Sequence, residues 1–217
     1  MSLTKSLREH DLAPRKKWGQ HFLTDARILE RIADAAELTT QDCVLEIGPG
    51  LGHLTRVLAQ RAARVIAVEV DSGLCEKLAA DFSATKNVAI IRGDVLTQAP
   101  SEWIREAGID PASLISYKVV ANLPYYITAA ILRYLLQAQI KPRLIVVMVQ
   151  REVAARIMAQ PPKTNLLAVS VQFFARPRVI RKISSVSAPI VYSWRSLRSF
   201  TTLRTSFGDE IFFLNKV

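Results

Sequence analysis

The chain has 217 residues, half of them hydrophobic, and a formal net charge of +10. That is enough to bury one substantial core, but no apolar run reaches the roughly 20 residues needed to span a bilayer. The N-terminus lacks the apolar core of a secretory signal, so a cytoplasmic protein is expected, outside any membrane. The charge sits at the ends. Residues 1–22 carry five basic and two acidic residues, and residues 176–217 carry eight basic and two acidic. A near-neutral centre with basic flanks is the pattern of a polyanion binder, although basic ends also confer solubility alone.

The predicted elements begin with a helix over residues 24–38. Thr24 is a candidate N-cap, and Ile28, Leu29 and Ile32 fall on one face. Five short, β-branched runs follow: Val44-Leu45-Glu46-Ile47, Val65-Ile66-Ala67-Val68-Glu69-Val70, Val88-Ala89-Ile90-Ile91, Val119-Val120-Ala121 and Leu144-Ile145-Val146-Val147-Met148-Val149. Runs this continuous are expected of strands buried on both faces of a parallel sheet. Between them Leu54/Val57/Leu58, Leu74/Leu78 and Ile127/Ile131/Leu132/Leu135 recur at helical spacing. The alternation predicts a doubly wound, Rossmann-like α/β domain with its ligand beyond the carboxyl ends of the strands. Cys43 opens a strand and Cys75 lies in a predicted helix. Without a CxxC pair or a histidine partner, both are expected to be buried thiols.

Three strand ends carry candidate chemistry. Gly48-Pro49-Gly50-Leu51-Gly52 follows the first strand and opens a helix, so its backbone can approach a ligand closely. Its spacing is G-x-G-x-G rather than G-x-G-x-x-G, and Pro49 removes one donor. Glu69 ends the second strand 19 residues after Gly50, where an acid can accept both hydroxyls of a ribose. Asp94 follows the third strand, where a carboxylate can accept from an adenine amine. Either acid alone could be a helix cap or a solvated strand end. The ordered trio describes a pocket for an adenosine-bearing cofactor.

Asn122-Leu123-Pro124-Tyr125 follows the fourth run. An amide, a rigid turn and an aromatic ring at one point can hold and stack a nucleobase that carries an exocyclic amine. The plainer alternative is a proline turn with Tyr125 as filler. The three histidines, His10, His21 and His53, have no metal-pair spacing, and His53 is expected to be solvated or capping. Neither G-x-S-x-G nor G-x-x-x-x-G-K-[ST] occurs. Group transfer from S-adenosylmethionine, which needs no side-chain nucleophile, fits what remains.

Lys16-Lys17-Trp18-Gly19-Gln20-His21-Phe22-Leu23, Leu45 to Gly52, Val68-Glu69-Val70-Asp71, Gly93-Asp94-Val95-Leu96 and Asn122-Leu123-Pro124-Tyr125 occur in the order found in the rRNA adenine N6-dimethyltransferases. The chain resembles the KsgA type, which is related to the Erm methylases, from about Arg15 to Ile183. Gln150-Arg151-Glu152-Val153-Ala154 also looks like the family. The resemblance implies S-adenosylmethionine as cofactor and ribosomal RNA of the small subunit as partner. A monomer and a role in ribosome biogenesis are further expectations.

The resemblance also implies roles by position. His21 and Leu23 would close over the cofactor, His21 standing where the family often carries Asn. Gly48 and Gly50 would line the methionine portion, Glu69 the ribose and Asp94 the adenine. Asn122, bordering the cofactor, and Pro124 would hold the target N6 while Tyr125 stacks on the target base.

The expected organisation is a basic arm and cofactor-closing segment over residues 1–23, a methyltransferase domain over 24–183, and a weakly structured tail over 184–217. That tail departs from the family's Phe-x-Pro-x-Pro loop, final strand and small helical domain. It holds seven of the 15 serines. The departure keeps a second reading open, a non-catalytic RNA-binding or assembly factor on the same fold.

Overall fold

A computed structural model of the chain describes residues 23–123, 126–180 and 212–216. Five strands run parallel: β1 (Cys43–Ile47), β2 (Arg64–Glu69), β3 (Val88–Arg92), β4 (Tyr117–Asn122) and β5 (Leu144–Met148). With β6 (Ala175–Val179) and β7 (Phe212–Lys216) they form one sheet in the order β3-β2-β1-β4-β5-β7-β6, in which β7 is antiparallel to both neighbours. The helices are α1 (Ala26–Ala35), α2 (His53–Ala59), α3 (Ser72–Asp81), α4 (Pro100–Glu106), α5 (Thr128–Gln137), α6 (Arg151–Ile157) and α7 (Leu166–Phe174). The strand order reverses between β1 and β4, which opens a crevice at their carboxyl ends. No described helix is long and apolar enough to cross a membrane.

Side-chain alternation divides the core. Leu45, Ile47, Ile66, Val68, Val119 and Ala121 face one way and pack with Trp103 and Ile104 of α4 and Ile131, Leu132 and Leu135 of α5. Val44, Val65, Val120, Val146 and Met148 face the other way, against Leu29 and Ile32 of α1 and Leu54 and Leu58 of α2. Every residue of β1 and β5 is buried, which is why β5 reads as an unbroken apolar run and β1 as one interrupted only by Glu46.

Three expectations are corrected. The first helix is capped by Asp25 rather than Thr24: Asp25 holds extended backbone angles and its carboxylate accepts from the Arg27 amide at 2.9 Å. Of the two thiols, Cys43 is buried but Cys75 only partly so. The tail contributes a strand, because Phe212–Lys216 enters the sheet between β5 and β6, with Val146 opposite Phe213 and Pro177 opposite Leu214. The rest of that segment, residues 184–211, lies outside the described residues.

A buried lysine fixes the far end of the sheet. Lys118 of β4 donates from Nζ to Ala36 O at 3.0 Å, Glu37 O at 2.7 Å and Asp42 Oδ2 at 3.0 Å, which uses all three of its protons. The first two contacts satisfy carbonyls at the end of α1, so that helix is tied to the sheet that carries the site. Burial opposes ionisation of Asp42. Hydrogen bonds from Lys118 and from the Thr39 amide and hydroxyl overcome it and hold the carboxyl below its ordinary value.

Candidate cofactor and adenine site

Gly48 and Gly50 follow β1 at φ +67° and +60°, angles that L side chains rarely adopt. The turn they make is held from β2: Gly48 N–H donates to Val68 O at 3.0 Å, and Gly50 N–H donates to Glu69 Oε2 at 3.1 Å. The other Glu69 oxygen accepts from Asp71 N–H at 3.0 Å. The loop and the acid expected on the ribose are therefore one hydrogen-bonded unit. Glu69 is 2% exposed. Burial raises its pKa, and the amides of Asp71, Gly50 and Val70 pull it back toward the charged form.

Among the described residues, a Cβ placed on Gly48 would meet nothing within 4 Å, so they leave space over the loop. A Cβ on Gly52 would stand 2.7 Å from Leu78 and 2.8 Å from Phe82, so this glycine lets α2 start tight against α3. His53 is the first residue of α2 and neither caps it nor is fully solvated: Gly52 is the N-cap, without a side-chain cap bond, and the imidazole is half-buried. Its burial, with Arg56 and Lys77 nearby, holds the imidazole pKa below its ordinary value.

Asp94 is exposed beyond β3, and its Oδ1 accepts from Leu96 N–H at 3.0 Å, capping the short 3-10 helix Val95–Thr97. The cap reading is thus realised, and it orients the carboxylate at the same edge as Glu69. Trp103 supports this loop from inside. Its Nε1 donates to Val95 O at 3.2 Å, and its ring lies so close under Gly93 that a Cβ there would stand 2.4 Å from it. Gly93 N–H continues the ladder by donating to Glu69 O at 2.9 Å.

Asn122 is the last residue of β4, half-buried and opposite Met148. Leu123 N–H donates to Met148 O at 3.2 Å, so the ladder persists one residue past the amide. Leu23 packs on the apolar layer of α1 and α2. The structure therefore brings Gly50 and Glu69 into direct contact, ties Gly48 to Val68 beside them, and sets Asp94 and Asn122 on the same sheet edge. His21, Pro124 and Tyr125 lie outside the described residues.

Two residues at this edge were not singled out from the sequence. Tyr126 is 54% exposed. Its phenol pKa is raised by partial burial and then by the charge of Asp94, so the loop after β4 faces the loop after β3. Glu46, on β1 beneath the glycine turn, is 1% exposed, and its Oε2 has no hydrogen-bond partner. Burial pushes its pKa up to about 8; the Thr55 hydroxyl opposes that shift and the charge of Glu69 adds to it. A charged residue inside the run Val44-Leu45-Glu46-Ile47 was the available signal for it.

The reversed seventh strand and the crevice over β1 and β4 define a Rossmann-like methyltransferase fold. The 23S rRNA methyltransferase ErmE is similar over 79% of this chain and 68% of its own, with a TM-score of 0.65 and 27% identity. A dimethyladenosine transferase from Plasmodium falciparum shares the fold over 79% of this chain and 62% of its own, with a TM-score of 0.64 and 23% identity. The family model for ribosomal RNA adenine dimethylase matches residues 12–191, and the chain belongs to that family. The ribosomal RNA small subunit methyltransferase A of Dehalococcoides mccartyi is 45% identical over 181 residues, 83% of this chain and 60% of the relative. That of Pelotomaculum thermopropionicum is 45% identical over 184 residues, 82% of this chain and 61% of the relative. The chain thus spans about 60% of the length of the curated relatives it matches.

Proposed function

We propose that the chain is an S-adenosylmethionine-dependent RNA methyltransferase that dimethylates N6 of adenines in small-subunit ribosomal RNA, with a role in ribosome biogenesis. One observation carries the reading: the glycine turn, Glu69, Asp94 and Asn122 stand in order on the carboxyl ends of β1 to β4, along one edge. Family membership and the names of the relatives support the substrate class. The buried Glu69 beside open space over Gly48, and the unpartnered carboxyl oxygen of Glu46, fit a polar and cationic nucleoside. Residues 24–183 are the methyltransferase domain in this reading, residues 1–23 the basic arm that closes the cofactor, and residues 184–217 the tail. The substrate puts the protein in the cytoplasm with the ribosomal subunits, and we take it to act as a monomer.

When bound, S-adenosylmethionine supplies an electrophilic methyl group on a sulfonium. The chain supplies position. Gly48 and Gly50 border the methionine portion, Glu69 accepts the ribose hydroxyls, and Asp94 accepts the adenine amine. Leu23 and His21 close the pocket. The Asn122 amide oxygen and the carbonyl beside Pro124 accept from the target N6–H bonds, which favours a tetrahedral nitrogen with its lone pair aimed at the methyl group. Tyr125 stacks on the target base. The displaced N6 proton passes to solvent, and a second cycle on the monomethylated amine gives the dimethyl product.

Labelled methyl transfer to unmethylated small ribosomal subunits, with free rRNA and DNA as controls, tests the reading. Incorporation into subunits or their rRNA is expected. Label in DNA alone would reassign the substrate. RNA binding without label from any substrate would favour the assembly-factor reading.

A further inference from the structure

Among the described residues, Glu46 is the one ionisable group beneath the glycine turn without a task in the proposed site. It lies on the central strand, opposite Ala67 of β2 and Val120 of β4. Alternation puts its side chain on the face it shares with Val44, toward α1 and α2. The groups that face it there are the carboxylate of Glu69 from β2 and the buried Thr55 hydroxyl from α2. From α1 and β4 the cluster on that face receives apolar side chains, including Leu29, Ile32 and Val120. Lys118, further along β4, is committed to Ala36, Glu37 and Asp42. Among the described residues, then, two buried carboxyls stand side by side with no cation between them. Such a pair resists carrying two charges until a cation arrives.

Resting on the S-adenosylmethionine reading above, we propose that Glu46 is the pocket's switchable counter-charge, a neutral acid in the empty site that gives its proton to solvent when a sulfonium donor binds. The O–H bond of Glu46 breaks, the proton goes to bulk water, and the carboxylate remains beside the new positive charge. No electron moves. Methyl transfer removes the sulfonium charge, Glu46 recovers a proton from solvent, and the attraction that held the donor is gone. The pocket thereby distinguishes the charged donor from the neutral thioether S-adenosylhomocysteine, which otherwise has the same shape. Donor affinity rises as pH rises toward 8, because less proton must be expelled, and levels off above it. Affinity for the thioether does not share that rise.

Isothermal titration of the 217-residue chain with S-adenosylmethionine and with S-adenosylhomocysteine, at pH 7 in two buffers of different ionisation enthalpy, counts the protons. Both ligands carry the same α-amino group, so its contribution cancels in the comparison. The donor should release about one proton per site and the thioether less than half of that. In Glu46→Gln the release on donor binding should disappear and the donor's advantage over the thioether should fall by about tenfold, the effect at pH 7 of lowering the Glu46 pKa by about two units on donor binding. Thioether binding by the variant shows that its pocket is folded, and the wild-type comparison stands without it. Equal proton release with both ligands, or unchanged release in Glu46→Gln, overturns the inference while leaving the cofactor reading intact. Failure of the wild-type chain to bind either ligand overturns the cofactor reading and the inference with it.

Discussion

At the residue scale the two acids of the pocket differ in how they are held, and so in what their loss should do. Glu69 is buried and accepts from the Gly50 and Asp71 amides. Glu69→Ala therefore removes the tie that shapes the turn and, in the proposed reading, a ribose partner. Asp94→Ala removes an exposed carboxylate and the Leu96 cap. Each should weaken S-adenosylmethionine binding by about 1–3 kcal/mol in calorimetric titration; wild-type affinity in both would remove the pocket assignment. Glu46 gives a pH prediction. Its folded pKa stands at about 8 against an ordinary 4.5, so the folded state keeps a proton that the unfolded chain has lost. Stability should fall as pH rises from about 4.5 to 8, and Glu46→Gln should flatten that fall in urea unfolding curves. The sequence announced Glu69 and Asp94 through their places after strands. It could not tell a ribose acid from a loop brace, because Glu69 is both in position and the bracing oxygen atoms belong to its fold.

Elements hold these residues in place through a few close packings. Gly93 must lack a side chain because the Trp103 ring fills the space, and that ring also holds Val95 O. Gly93→Ala should push the Asp94 loop off its support, weakening cofactor binding with a smaller loss of overall stability; thermal unfolding and ligand titration on one sample separate the two. Lys118→Met leaves the half-buried Asp42 without its cation and removes the lysine's bonds to the Ala36 and Glu37 carbonyls, and should cost about 3 kcal/mol in denaturant unfolding. The five parallel strands were legible as apolar, β-branched runs, which burial on both faces demands of the central ones. β6 was not, since Ala-Arg-Pro-Arg-Val lies at the sheet edge, where proline and charge are tolerated. Nor was β7, because its short apolar run is set in a polar, serine-rich segment and becomes a strand only through pairing with β5 and β6.

For the whole molecule, a near-neutral centre and basic ends fit the proposed division between cofactor chemistry at the sheet edge and attraction for a phosphate backbone at the flanks. Binding to ribosomal RNA should weaken steeply with added salt through counterion release, in a filter-binding series from low to physiological ionic strength. Salt-independent binding would detach the charge pattern from function. The family was legible because five motifs fall in order, four of them on consecutive strand ends. The proposed target-base contacts were legible only as a motif, since the roles proposed for Pro124 and Tyr125 depend on a substrate that meets the site from outside. Asn122 carries the central claim. Its amide should matter to the amine in the transition state and little to the cofactor. The direct test is nucleoside analysis of unmethylated small subunits after incubation with S-adenosylmethionine and either the wild-type chain or Asn122→Ala. The account predicts N6,N6-dimethyladenosine with the wild type and its loss with the variant at nearly unchanged cofactor affinity. Subunits methylated elsewhere than adenine N6, or dimethyladenosine formed equally by both proteins, would contradict it.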